Sequence, residues 1–489
     1  MRRAIKSFAG NEGGGGRPPV RRPVVWFEVE DFLRYFDHFP NPTGSQRVPL
    51  EIFVHAARLY GRGGRVRFCR LSVYTKRLVP VEFETVMAAC LDPPGALAPW
   101  KAVWEPAQLM SRFPKMVPVI LANPRFFLRL ARTAVADFLD LVLRPRRFAG
   151  AVRPGDMVVS LGASWAVPSY ARYIAAAKRR YGISFSALVY DMIPVENGDL
   201  VERHHTTKFR RWLAEIVPVA DALLTISNHS RQALFRYAAA ARWPMPRVDV
   251  IRLGGEWSAL PGVRRRPRPE DPAVPARPPV KPLPARYVLF VSTIEIRKNH
   301  RLLVQAWRRL LERHGKAAVP VLVFAGQVGW MVDDVLQDLD ASGWLDGHIE
   351  HRPGLSDKQL GAAYDGCLFT VFPSLAEGWG LPVAESLAHG KFCVASDQTS
   401  IPEVGGDLID YFDPTDEDDV VAKLERVLFE PGYLAAREAR LRAQYRPGTW
   451  SDCARSVVLR AEQQALVAMA APAGDPDERL ASAQPVGNS

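Results

Sequence analysis

The chain has 489 residues, 48% of them apolar, with a formal charge of +12 and a pI near 9.6. That length holds two or three domains with substantial cores, and the apolar content suits a globular protein. The charge raises nucleic acid as a partner, but aromatic and basic interleaving on strands, zinc-ligand spacing and a recognition-helix pattern are all missing, so no nucleic-acid partner is expected.

Residues 1–20 are basic and glycine-rich and read as a disordered tail without the apolar core of a signal peptide. No uninterrupted apolar run reaches the roughly 18 to 20 residues that a spanning helix needs. A cytoplasmic chain follows, one that touches the inner face of the plasma membrane peripherally if at all. Five cysteines, Cys69, Cys90, Cys367, Cys393 and Cys453, lack paired or metal-ligand spacing, which fits a reducing compartment.

From residue 21 to 262, apolar strands alternate with helical segments: VVWFEV near 24, RVRFCRLSV near 65, DMVVSLG near 156, FSALVYDMIP near 185, ALLTIS near 222 and RVDVIRL near 247. This is the pattern of a doubly wound, Rossmann-like domain. Within it, residues 101–153 carry ten basic against three acidic groups between long apolar runs. Peripheral contact with an anionic membrane fits that composition, and a buried helix pair with exposed arginines fits it at least as well. The neighbours His204 and His205 show no metal-ligand spacing and read as surface or packing residues.

A Pro/Arg-rich linker spans residues 263–286, with eight prolines from 264 onward. The alternation resumes over 287–449, with strands near Tyr287, Val321, Leu368, Phe392 and Leu408, each followed by a helix. The fold expected is α/β, two Rossmann-like domains facing a central cleft, with the ligand crevice at the carboxyl ends of the strands. A helix over 450–471 and a disordered tail over 472–489 close the chain.

Three motifs in the second domain carry chemistry. In YVLFVSTIEIRKNHRLLVQAW, Arg297 and Lys298 stand at a helix start, where cations oppose the macrodipole and two in succession call for an anion. Arginine binds diphosphate oxygens as a fork and lysine as a compact charge; a solvated basic helix start is the alternative. PVLVFAGQVGW then repeats strand and glycine turn, with Gly326, Gly329 and Trp330. Finally, PSLAEGWGLPVAESLAHG sets Glu377 and Glu385 eight residues apart. Gly378, Trp379 and Gly380 form a loop between them, Leu381 and Pro382 open a helix, and the free amides there point where a diphosphate would sit. The two carboxylates are then acceptors for sugar and ribose hydroxyls, since beside a diphosphate they would otherwise repel it. An ordinary strand, loop and helix with a capping glutamate accounts for the spacing alone equally well. Asp338 with Asp340, and Asp416 with Asp418, match a short DxD pattern but lie in helical regions. GxSxG, GxxxxGK and a nucleophilic cysteine constellation are absent from the sequence.

EGWGLPVAE, preceded by FPS and followed by HGKFCVAS and IPEVGGD, resembles the signature of the family 4 glycosyltransferases, with Trp379 where phenylalanine is commoner. The resemblance implies the GT-B architecture, retained anomeric configuration, Glu377 near the donor sugar hydroxyls and Glu385 on the ribose. It places Arg297, Lys298 and Asn299 on the family's RKN turn and Gly326 on its second glycine loop. In the first domain, NPTGSQRV is similar to the TGIQRV-like loop of a subgroup, with Ser45 at the usual isoleucine. Gly44, Gln46 and Arg47 then form a polar loop over the cleft, although a surface turn ahead of a helix over 48–60 fits as well. LVYDMIP resembles the family's HD-x-IP segment, with Tyr190 in place of histidine and Asp191 retained. Tyrosine can donate a hydrogen bond but does not titrate near neutrality, so it is not a general base. ADALLTISNHSRQAL resembles another family segment, placing Ser227 near the donor cleft, while Asn228 to Ser230 fit a helix cap, the better-supported role. The family's last helix crosses back to the first domain.

What this implies is metal-independent hexosyl transfer from a nucleoside-diphosphate sugar, GDP-mannose ahead of UDP-glucose, to a glycan or lipid-linked acceptor in polysaccharide biosynthesis. The subgroup's bacterial polysaccharide mannosyltransferases set that preference. Arg297, Lys298 and Glu377 would be catalytic, with no cofactor and no metal ion. A non-catalytic sugar-nucleotide sensor and a same-fold epimerase are the alternatives.

Overall fold

The structure is a computed structural model that describes residues 21–38, 44–72, 76–91, 147–256 and 282–470. Residues 1–20, 39–43, 73–75, 92–146, 257–281 and 471–489 lie outside the described residues, and with them the N-terminal tail, most of the basic segment 101–153, most of the Pro/Arg-rich linker 263–286 and the C-terminal tail.

The first sheet comprises β1 (Val25–Glu28), β2 (Val66–Ser72), β3 (Arg77–Val81), β4 (Met157–Ser160), β5 (Ser184–Val189), β6 (Ala222–Thr225) and β7 (Arg247–Val250), in the order β3-β2-β1-β4-β5-β6-β7. All its pairings are parallel except β2 with β3. Every residue of β1, β4, β5 and β6 is buried, because helices cover both faces of a parallel sheet and leave no polar side for alternation.

The second sheet comprises β8 (Tyr287–Val291), β9 (Val321–Ala325), β10 (Ile349–Arg352), β11 (Thr370–Phe372), β12 (Cys393–Ser396) and β13 (Asp410–Phe412). Its order is β10-β9-β8-β11-β12-β13, and all its pairings are parallel. In both sheets the winding direction reverses once, between β1 and β4 and between β8 and β11, and at such a reversal the loops part to leave a crevice.

The helix Trp450–Ala470 packs on the first domain, not the second. Its Trp450, Cys453, Val457, Val458 and Ala461 join Phe27, Val48, Ile52, Leu188 and Leu224 in one buried cluster. At the crossover the Gly255 amide donates to the Gly448 carbonyl at 3.0 Å. Gly254 has no room for a side chain, since a Cβ there would sit 2.6 Å from the Trp450 ring. Arg65 clamps the helix through Glu462 at 2.7 Å. Among the described residues, no helix is long and apolar enough to cross a membrane. Cys69, Cys367, Cys393 and Cys453 are buried free thiols.

One boundary differs from the sequence reading. The second helix after β1, which follows the helix Glu30–His38, runs Gly44–Ala56 and ends in a π-helical turn, Ala57–Gly61, so Gly44, Gln46 and Arg47 occupy its first turn instead of a preceding loop. Pro49 within that helix cannot donate to the Ser45 carbonyl four residues earlier. The Tyr190 hydroxyl lies 3.2 Å from that carbonyl.

Candidate active site

The site is built where β8 and β11 diverge. After β8 the chain makes one 3₁₀ turn, Ile296–Lys298, and Asn299 takes a left-handed conformation (φ 58°) before the helix His300–His314 begins. Arg297 and Lys298 therefore precede that helix instead of lying in it. Lys298 Nζ donates to the Glu377 carboxylate, which lies in the loop after β11. Arg297 reaches the same oxygen at 2.9 Å, Glu295 at 2.6 Å and the Ala376 carbonyl at 2.7 Å. Lys298 is 9% exposed and Glu377 8%, so the pair is shielded from water.

Burial alone would raise the Glu377 carboxyl, but Arg297 and then Lys298 outweigh it and hold it at about 2. Burial and the neighbouring Arg297 lower the Lys298 ammonium, against the pull of Glu377. The loop is fixed on its other side as well. The Glu377 amide donates to Thr399 Oγ1 at 2.8 Å, and the Ser400 hydroxyl donates to the Glu377 carbonyl at 2.8 Å.

Four residues then pass without an internal acceptor. Among the described residues, the amides of Gly378, Trp379, Gly380 and Leu381 find no hydrogen-bond partner. Gly380 has φ +106°, which a side chain would resist, and it ends the loop at the start of the helix Leu381–Ala388. Two of these amides thus belong to a helix N-terminus, where backbone donors and the macrodipole favour an anion. Glu385 lies buried in that helix, its two oxygens held by Arg47 of the first domain at 2.8 Å and by the Tyr364 hydroxyl at 2.9 Å. Burial raises its value and Arg47 draws it back.

The first domain supplies the opposite wall. Asp191 accepts from the Ile193 amide at 3.0 Å, and a Cβ on Gly378 would meet Asp191 Cβ at 3.0 Å and the Tyr190 carbonyl at 3.1 Å. Only glycine lets these two backbones approach so closely. Burial raises the Asp191 carboxyl, while Arg297 across the cleft opposes that rise. Tyr190 points its hydroxyl at the Leu161 carbonyl, 2.8 Å away, and burial pushes it well above its ordinary value. A second bridge joins the domains where Glu403 accepts from the Asn228 and His229 amides at 2.9 and 2.7 Å, at the N-terminus of the helix Asn228–Ala240.

The family model described as Glycosyl transferases group 1 matches residues 276–445, which contain every second-domain residue of this site. The chain thus carries a glycosyl transferases group 1 domain. Its sequence is 31% identical over 241 residues to the O-antigen chain mannosyltransferase B of Escherichia coli, covering 49% of this chain and 60% of that one. It is 27% identical over 267 residues to the serotype-specific mannosyltransferase WbdA of Escherichia coli, covering 54% of this chain and 32% of that one. The chain therefore spans less than two thirds of the length of the curated relatives it matches first. In fold it resembles the sucrose-phosphate synthase of Thermosynechococcus elongatus, with a TM-score of 0.54 and 15% identity, covering 92% of this chain and 100% of that one. The architecture is GT-B.

Not every residue singled out by motif faces the cleft. Asn299 donates its side-chain amide to the Pro414 carbonyl at 2.9 Å. Gly326 supports the site from behind, since a Cβ there would lie 1.9 Å from the Ser292 carbonyl oxygen. Trp379 and Leu381 reach across to the apolar cluster of the first domain, and Gly44 lies against Leu381. Gln46 accepts from the Ser45 hydroxyl at 3.0 Å. Ser227 caps the helix that follows it, accepting from the Ser230 amide. The DxD aspartates have structural partners: Asp338 pairs with Arg308, Asp340 accepts from Trp344, Asp416 caps its helix and Asp418 pairs with Arg309. Among the described residues, Glu202, His204 and His205 bring one ligand atom each within 4.8 Å of one another, on an exposed helix start. Glu295 lies inside the YVLFVSTIEIRKNHRLLVQAW motif, and Tyr364, Thr399 and Ser400 lie outside the motifs; the contacts of all four depend on the fold and leave no signal in the spacing. Glu403 lies inside the IPEVGGD motif, where nothing local points to its contact with the other domain.

Proposed function

We propose that the chain is a retaining hexosyltransferase that moves a sugar, mannose from GDP-mannose first among candidates, from a nucleoside diphosphate to a glycan or lipid-linked acceptor in polysaccharide biosynthesis. The observation that carries this reading is the adjacency of the Arg297–Lys298–Glu377 cluster to the amides of residues 378–381 at the β8/β11 switch point. Cleaving a glycosyl–phosphate bond leaves negative charge on the diphosphate. Two cations fixed by a buried carboxylate, with four amide donors beside them, stabilise that charge without reorganising, and a single such donor is typically worth about 3 to 4 kcal/mol of barrier.

In this reading Glu377 holds Arg297 and Lys298 in place and accepts from sugar hydroxyls, Glu385 receives the ribose, and Asp191 faces the reacting carbon from the acceptor side. Arginine, lysine and amides supply the positive charge that a divalent ion provides elsewhere, so the reaction proceeds without metal. Mannose is preferred because the relatives named above are mannosyltransferases. The protein would act from the cytoplasm on acceptors at the inner face of the membrane.

The test is nucleoside diphosphate release by purified protein across GDP-, UDP- and dTDP-sugars, with and without a lipid-linked acceptor extract, in the presence of a chelator. Acceptor-dependent release from one donor class supports the reading. Binding without release from any donor would instead identify a sugar-nucleotide sensor.

A further inference from the structure

Glu385 is the carboxylate that the proposed function assigns to the donor ribose, and its geometry is set by two side chains from outside its own helix. The Tyr364 hydroxyl donates to Oε2 at 2.9 Å and Arg47 Nη1 donates to Oε1 at 2.8 Å. Tyr364 is fully buried, and its ring stacks on His389 with centroids 5.1 Å apart and planes 16° apart. His389 is itself anchored to Asp365 at 2.7 Å. The tyrosine is thus locked, and so is the carboxylate rotamer it meets. Arg47 comes from the helix Gly44–Ala56 of the other domain, where Glu51 lies 3.8 Å from it.

An ionised carboxylate offers about four acceptor sites, so these two donors leave room for a pair of ligand hydroxyls. A vicinal diol needs both oxygens in one fixed plane, which Tyr364 provides. It also needs the ionised form, and burial works against that. The charged or titratable groups around Glu385 are Arg47 with Glu51 behind it, Tyr364, His389 and Asp357, and of these Arg47 acts most strongly for ionisation.

We propose that Arg47 and Tyr364 are positioning residues that present Glu385 to the ribose diol of the donor, with Arg47 making that recognition depend on apposition of the two domains. This rests on the reading of Glu385 as the ribose contact.

The experiment is equilibrium binding of GDP and UDP, each against its 2′,3′-dideoxy analogue, to the full chain from mildly acidic to mildly alkaline pH. Wild type is expected to prefer the ribose form, and Glu385→Gln to lose that preference. Tyr364→Phe, which keeps the buried ring, should lose about tenfold of it, the worth of one hydrogen bond to a charged acceptor. Arg47→Ala should keep the preference only at more alkaline pH, and Arg47→Lys should restore the wild-type profile in part. If Glu385→Gln loses the preference while Tyr364→Phe and Arg47→Ala retain both it and the wild-type pH profile, the proposal is overturned alone. If wild type binds neither nucleotide, or the preference survives Glu385→Gln, the ribose reading is overturned and the proposal with it.

Discussion

Lys298 and Glu377 follow the two strands that flank the switch point of the second sheet, and the lysine ammonium bonds the glutamate carboxylate across that point. The pair is asymmetric. Lys298→Ala leaves Glu377 its Arg297 partner at 2.9 Å, whereas Glu377→Ala leaves Lys298 buried beside the like charge of Arg297. Breaking a buried pair by stranding one charge typically costs about 3 to 5 kcal/mol. Glu377→Ala should approach that figure and Lys298→Ala fall well below it. Urea unfolding followed by circular dichroism gives the order, and a larger loss for Lys298→Ala would contradict the assignment.

The first domain should become less stable as pH rises through neutrality. Burial, and next the neighbouring Asp31, raise the Glu28 carboxyl from 4.5 to about 8. A raised carboxyl binds its proton more tightly in the folded state. Its contribution is complete below the unfolded value and disappears as pH climbs through about 8. The slope is at most about 1.4 kcal/mol per pH unit for one proton. Glu28→Gln imitates the protonated acid, keeping an oxygen for the Leu71 amide and a partner for the Tyr170 hydroxyl. Thermal unfolding across pH should show a flatter profile for Glu28→Gln, and an identical slope would contradict the burial argument.

Glu403 holds the domains together at an exposed helix N-terminus, through the Asn228 and His229 amides. Such a contact is worth no more than about 1 kcal/mol to folding. Glu403→Ala should therefore leave the unfolding midpoint within error of wild type while enlarging the radius of gyration in small-angle scattering. A large drop in midpoint with unchanged dimensions would show that the contact serves one domain and not their apposition.

Hydrogen exchange reads the proposed diphosphate cradle directly. The amides of residues 378–381 have no acceptor among the described residues, so they should exchange fast in the free protein and slow when a matching nucleoside-diphosphate sugar is added. Slowing confined to other peptides would move the diphosphate elsewhere.

The two-domain frame was readable because buried parallel strands announce themselves as unbroken apolar runs, VLFV in β8 and VLVFA in β9 among them. The motif loops were readable too, since glycine and proline spacing is local. Two cations at a helix start call for an anion, and the chain itself supplies one beside Arg297 and Lys298 in Glu377, 79 residues beyond Lys298. Long-range partners left no local trace: Arg47 and Glu385 are 338 residues apart. The antiparallel β3 was hidden because RLVPV shares the apolar character of its parallel neighbours. The helix start at Gly44 was hidden because Pro49 argues for a later beginning.

The most direct test of the central claim is the rate of nucleoside diphosphate release from the preferred donor by wild type and by Lys298→Ala, with folding of both verified by far-UV circular dichroism. Loss of one preorganised donor to the leaving group predicts a fall of about 100-fold or more in kcat for the variant. Equal turnover by wild type and a folded Lys298→Ala would show that the switch-point cluster does not meet the departing diphosphate.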